Sequence, residues 1–154
     1  MKKFEPFIYI VLFVVFGGLV LSEGAKAAAL DRSIALTPKE LYRKIAKREG
    51  ALQIVDVRED VEENYEDTHI PGAIPFPNCD MKDTPEGARD QVEPSVPTII
   101  VSGDGDQELF NKCAAYFTSA RNLEGGLEAW DDENLPEDSG EYQPPKVGAG
   151  GGCL

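Results

Sequence analysis

The chain has 154 residues, with 28 acidic and 15 basic side chains and a net charge of −13. That length fits one domain, and that charge repels nucleic acid and anionic lipid. With a single histidine, His69, and three cysteines that make no C-x-x-C or His-Cys cluster, structural zinc and c-type haem attachment are disfavoured, and no metal or cofactor is expected.

Met1-Lys2-Lys3 and the apolar run from Phe7 to Leu21 have the charged start and hydrophobic middle of a secretory signal, and Ala25-Lys26-Ala27 supplies an A-x-A cleavage site. The 15 residues of that run fall short of the roughly 20 a spanning helix needs. Residues 1–27 are therefore expected to be a signal peptide, and the protein to be exported to the periplasm or exterior. The competing reading is an uncleaved membrane anchor, the one case in which the protein would meet a membrane. No cysteine precedes Cys79, so lipidation of an N-terminal cysteine is ruled out. Cleavage after Ala27 would leave 127 residues with a net charge of −14, enough for a core. Residues 28–49 hold six basic and three acidic side chains, and everything after them is strongly acidic. Such a surface serves solubility, or else a cationic partner.

Residues 28–36 read as a linker. Thr37-Pro38-Lys39-Glu40 is a capping box with proline at the first helical position. Leu41 and Ile45, with Tyr42 beside them, make the buried stripe of the helix it opens, and Gly50 is expected to end it. The run from Leu52 to Val57 reads as a buried strand, and Arg58 to Asp67 as an acidic loop with a short helix. His69-Ile70-Pro71-Gly72-Ala73-Ile74 is a turn into a short strand, confined by Pro75 and Pro77. Asn78 to Pro97 is polar and proline-containing, with room for one short helix.

Thr98-Ile99-Ile100-Val101 is a β-branched run of the kind found in buried parallel strands. Phe110, Ala114 and Phe117 recur after it at helical spacing, with Cys113 alongside, so Ser102-Gly103-Asp104-Gly105-Asp106-Gln107 joins strand to helix. A tight loop there aims several backbone N–H groups at one point, a cradle suited to an anion or a nucleophile. Asn122-Leu123 is a minimal strand, Gly125-Gly126 a tight turn, and Leu127 to Asp132 a short helix anchored by Trp130. Pro144-Pro145 and the glycine run from Gly148 to Gly152 cannot bury a core, so residues 138–154 are expected to be a disordered tail. Strands alternating with helices point to an α/β sandwich on a parallel sheet.

Five stretches, in order, resemble the rhodanese-like domain, a sulfurtransferase family also related in fold to some cysteine phosphatases. They are Ile54-Val55-Asp56-Val57-Arg58-Glu59, then His69-Ile70-Pro71-Gly72-Ala73-Ile74-Pro75, then Thr98-Ile99-Ile100-Val101, then Leu123-Glu124-Gly125-Gly126-Leu127-Glu128-Ala129-Trp130, and finally Leu135-Pro136. The resemblance implies a rhodanese-like domain over residues 37–137. Its fold would be a three-layer α/β sandwich, an about five-stranded, mostly parallel sheet with helices on both faces. It also implies structural roles for Asp56, Arg58, His69, Gly72, Gly125, Gly126 and Trp130. Family members that move sulfur carry it as a persulfide on a cysteine at the first loop position, and here that position is Ser102. Gln107 and Glu108 stand where the family loop often ends in Arg and Ser, and Ser102 lies 23 residues before Gly125, implying a shorter helix after the loop. Asp104, Asp106 and Glu108 put three carboxylates at a site meant for an anion. At roughly 5 Å each repels such an anion by about 1 kcal/mol in water, and several-fold more in a cleft.

Ser102 has no Gly-x-Ser-x-Gly spacing around it, and the sole histidine sits in a turn with a structural role, so serine catalysis is disfavoured. The alternating carboxylates of the loop lack the rest of a calcium-loop pattern and suit a helix N-terminus in any case. Cys113 reads as a buried small hydrophobe, and Cys79, in a polar loop, as a reactive thiol or a disulfide partner. Cys153, on a glycine arm and followed only by Leu154, is an exposed thiol outside any prenylation box. Two functions compete. One is an exported binding or scaffolding module, inactive at its loop, for an unknown envelope protein of cationic or other character. The other is a sulfurtransferase or persulfide carrier using Cys79 or Cys153.

Overall fold

Runs of four consecutive buried residues require a strand covered on both faces, and Gln53–Asp56 and Thr98–Val101 are such runs. In the computed structural model, which describes residues 34–48 and 50–145, these two strands pair in parallel at the middle of a five-stranded sheet. In chain order the elements are β1 (Ala35–Leu36), α1 (Pro38–Lys47), β2 (Gln53–Asp56), a π-helical turn (Val61–Tyr65), β3 (Ile74–Pro75) and a 3₁₀ turn (Pro77–Cys79). They continue with α2 (Glu86–Arg89), β4 (Thr98–Val101), α3 (Gln107–Ala114), β5 (Ala120–Leu123) and α4 (Gly126–Asp132). The sheet order is β1-β5-β4-β2-β3. Each of its four pairings is parallel, so the sheet is wholly rather than mostly parallel.

Register divides the side chains between two layers. Ile54, Ile99, Val101, Leu123 and Leu36 join Leu41 of α1 and Leu127 and Trp130 of α4 in one core. Their strand neighbours Val55 and Ile100, paired across β2 and β4, point to the other face. Gln53 and Thr98, also on that face, are buried and share a 2.7 Å hydrogen bond, with Gln53 Nε2 donating to Thr98 Oγ1. The capping box forms as expected: Thr37 Oγ1 accepts from Glu40 N, and Glu40 Oε2 from Thr37 N. Those contacts hold the Glu40 carboxyl below its ordinary range. The residue that ends α1 in the left-handed region is Arg48, at φ 52°, two positions before Gly50.

Two boundaries differ from expectation. Ala35-Leu36, placed in the linker, forms β1 against Asn122-Leu123; a two-residue strand is too short to show a period. Residues 138–142, placed in the tail, are docked. Asp138 bridges to His69, Gly140 N donates to Glu66 O, and the Tyr142 ring meets Tyr65 edge-on. The proposed signal peptide, most of the tail and Cys153 lie outside the described residues.

Candidate ligand cleft at the carboxyl ends of β2 and β4

From β2 the chain moves outward to β3, then crosses back to β4 on the other side. In a parallel sheet that reversal opens a crevice beyond the carboxyl ends of the two strands. A cleft of about 750 Å³ lies there, lined by Arg58 and Glu59 after β2, by Ser102, Gly103, Asp104 and Asp106 after β4, and by Glu108, Leu109 and Lys112 of α3.

The loop after β4 is held from several directions. The Ser102 and Gly103 carbonyls accept from Leu127 N and Glu128 N, both at 2.9 Å, so the loop supplies acceptors to the first turn of α4. Gly126 allows that approach: a Cβ there would stand 2.4 Å from Ser102 O and 2.6 Å from Gly103 O, at a φ of +59°. Asn122 Nδ2 donates to Gly105 O at 2.9 Å. Two loop carboxylates fold back on the backbone. Asp104 Oδ1 accepts from Asp106 N at 3.0 Å, and Asp106 Oδ1 caps α3 by accepting from Leu109 N at 2.6 Å. Ser102 is 2 % exposed, and its Oγ has no hydrogen-bond partner. An orphaned buried hydroxyl costs about 1–3 kcal/mol.

The wall after β2 is built differently. Asp56, 2 % exposed, accepts from Arg58 N, from Arg58 Nε and, at 2.7 Å, from Arg58 Nη2. Arg58 Nη2 also donates to Thr68 O at 2.6 Å, tying the strand end to the loop before the histidine turn. Arg58 thus lines the cleft with its charge already matched.

Other residues singled out from the sequence sit away from the cleft. His69 is buried, stacks on Tyr65 with ring centroids 3.9 Å apart, and donates from Nδ1 to Tyr65 O at 2.7 Å. Tyr65 donates its hydroxyl to Ala73 O, and burial, followed by the Asp56 carboxylate, pushes that hydroxyl well above its ordinary range. Trp130 is fully buried and donates from Nε1 to Pro136 O. Gly72, at φ +80°, turns beside α1 and lines a separate depression with Lys44 and Ile45. Gly105, in the loop, and Gln107, the first residue of α3, do not line the cleft.

One reading of the cysteines is corrected and another decided. Cys79 and Cys113 form a disulfide, with Cα atoms 5.4 Å apart, so Cys113, buried as expected, is not a free side chain, and Cys79 is the disulfide partner rather than the reactive thiol. The bond ties the 3₁₀ turn after β3 to α3, the helix that carries one wall of the cleft. With the cysteines 34 positions apart in sequence, a chain-entropy model puts its contribution at roughly 3–4 kcal/mol. Spacing could not reveal the pair, because the contact is made by packing the turn on the helix. Asn78 and Asn64, also in the cleft wall, were missed in the sequence. The Pro77-Asn78 pair, a turn signal with Asn78 at φ +51°, could have marked the first.

The model of the rhodanese-like domain matches residues 37–133, and the chain belongs to that family. Among solved structures, a full-length protein from Lactobacillus plantarum is similar at 20 % identity and a TM-score of 0.60, over 77 % of this chain and 98 % of that one. The rhodanese-like domain of an Anabaena protein matches at 23 % identity and a TM-score of 0.55, over 79 % of this chain and 88 % of that one. A thiosulfate sulfurtransferase from Pseudomonas aeruginosa matches at 16 % identity and a TM-score of 0.55, over 71 % of this chain but 21 % of its own. These likenesses are of fold, in a family related to sulfurtransferases. No functionally curated protein matches the chain.

Proposed function

We propose that the protein is a rhodanese-like binding module of the cell envelope that does not transfer sulfur at its β4 loop. Ser102 stands where sulfur-moving members of the family place a cysteine. The observation that carries this reading is the use the loop makes of its own amides. Asp104 and Asp106 already accept from the backbone N–H groups of Asp106 and Leu109, where a bound sulfur oxyanion would need free donors. Their charge, with that of Glu108, opposes an incoming anion. Ser102 has no base: the ring of the only histidine is stacked on Tyr65 and bonded through Nδ1 to a backbone carbonyl. Envelope placement rests on the charged and apolar leader, and a disulfide between Cys79 and Cys113 suits an oxidising compartment. Among the described residues no helix is long and apolar enough to cross a membrane.

The test is thiosulfate:cyanide sulfurtransferase activity of the purified protein, alongside a Cys153→Ala variant. No turnover above the protein-free background is expected from either. Turnover that disappears with Cys153→Ala would overturn the reading in favour of a persulfide carrier at the chain's remaining thiol. Ser102→Cys is expected to stay inactive, because the carboxylates remain; activity gained by that single change would show that the thiol alone was missing.

A further inference from the structure

A second cleft, of about 470 Å³, adjoins the first and shares Arg58, Asn64 and Gly103 with it. The first has the acidic residues Glu59, Asp104, Asp106 and Glu108 in its lining. The second adds Asp67, Glu128, Asp131 and Glu137. Against these eight acids stand two cations, Lys112 and an Arg58 whose guanidinium is committed to Asp56 and Thr68 O. Charge alone would mark only a solvated face. In the wall of the first cleft, however, Ser102 carries a buried hydroxyl with no partner. A lone-pair acceptor at that depth, in a cleft whose lining is acidic, fits an N–H donor of positive charge.

We infer that the two clefts form one trench for an extended basic segment of a partner protein, with an arginine or lysine side chain reaching the Ser102 hydroxyl. The acidic residues are divided four to each cleft, a spread that suits a chain of cationic side chains rather than a single point charge. A single small amine would fill only one of the two clefts, whereas a peptide crossing the Arg58–Gly103 saddle meets both. Recognition of this kind is steered by charge and weakened by salt.

The experiment uses a fluorescein-labelled nonapeptide of alternating arginine and glycine, read by anisotropy against the purified full chain at low salt. Its citrulline counterpart and arginine amide serve as comparison ligands. The arginine peptide is expected to bind at least tenfold tighter than either. Glu108→Gln and Glu128→Gln, one from each cleft, should each weaken it about fivefold, and Ser102→Ala about threefold. The paired change Glu86→Gln and Asp90→Asn, outside both clefts, should weaken it less than twofold. Equal loss with that control pair would reduce the effect to net charge and overturn the trench. So would equal binding of arginine amide, loss from one cleft only, or no binding. The inference rests on the non-catalytic reading, and the same preparation assayed for sulfur transfer separates the two. Failed peptide binding without turnover sinks the trench alone; turnover sinks the reading beneath it.

Discussion

The ends of the two central strands lie side by side, yet they handle polar groups in opposite ways. At the end of β2, Asp56 is buried and its carboxylate is matched by Arg58, which also reaches Thr68 O. At the end of β4, Ser102 is equally buried and its hydroxyl has no partner, while acidic residues line the open cleft beyond it. The first arrangement spends charge on holding the framework. The second leaves polar capacity unfilled, at some cost in stability, where a ligand could fill it.

The sharpest way to break this contrast is through the turn beneath the β4 loop. Gly126→Ala puts a methyl group against two loop carbonyls and forces a non-glycine residue to φ +59°. Denaturant unfolding should show a loss of roughly 4–5 kcal/mol or outright failure to fold. A loss under about 1 kcal/mol would mean that the loop is not seated on α4. Arg58→Ala is next. It leaves Asp56 buried without its countercharge and should cost about 3–5 kcal/mol, which the double variant with Asp56→Asn should partly recover.

Alkaline pH probes the surroundings of Asp56 more gently. The hydroxyl of Tyr65 titrates higher in the folded chain than in the unfolded one, so above about pH 10 the unfolded state gives up its proton first. Stability from this group is complete below that pH and falls as pH rises, by at most about 1.4 kcal/mol per pH unit. Tyr65→Phe should remove this component of the slope, measured as thermal midpoint between pH 9 and 11.5. It should also lower stability at neutral pH by about 1 kcal/mol through the lost bond to Ala73 O. The smallest effect is expected at the other strand end. Ser102→Ala removes an unsatisfied group and should leave stability unchanged or raise it by up to about 1 kcal/mol. A loss of more than 1 kcal/mol would show that the hydroxyl is already partnered.

Much of the framework was legible in the chain because its signals are local. The capping box at Thr37 needs only residues three apart, and it formed. The β-branched run at Thr98 and the Gly125-Gly126 turn name their own conformations, and both appear at those positions. The motifs around Asp56, His69 and Trp130 carried the family resemblance, and with it the α/β layers and five strands. What stayed hidden depends on chain segments far apart in sequence. Ala35-Leu36 became a strand because Asn122-Leu123 offers it an edge, and Asp138 left the tail because His69 pairs with it.

For the site, the residues alone determined that a serine heads the loop and that carboxylates follow it, since identity and charge need no coordinates. Only the tertiary structure decided what those groups meet. It buried the Ser102 hydroxyl without a partner, turned two carboxylates onto the loop's own amides, closed Cys79 onto Cys113 and set a second acidic cleft beside the first. The physical reason is distance. Partnering, desolvation and repulsion all depend on how near two groups come in space, and spacing along a chain bounds that separation only from above.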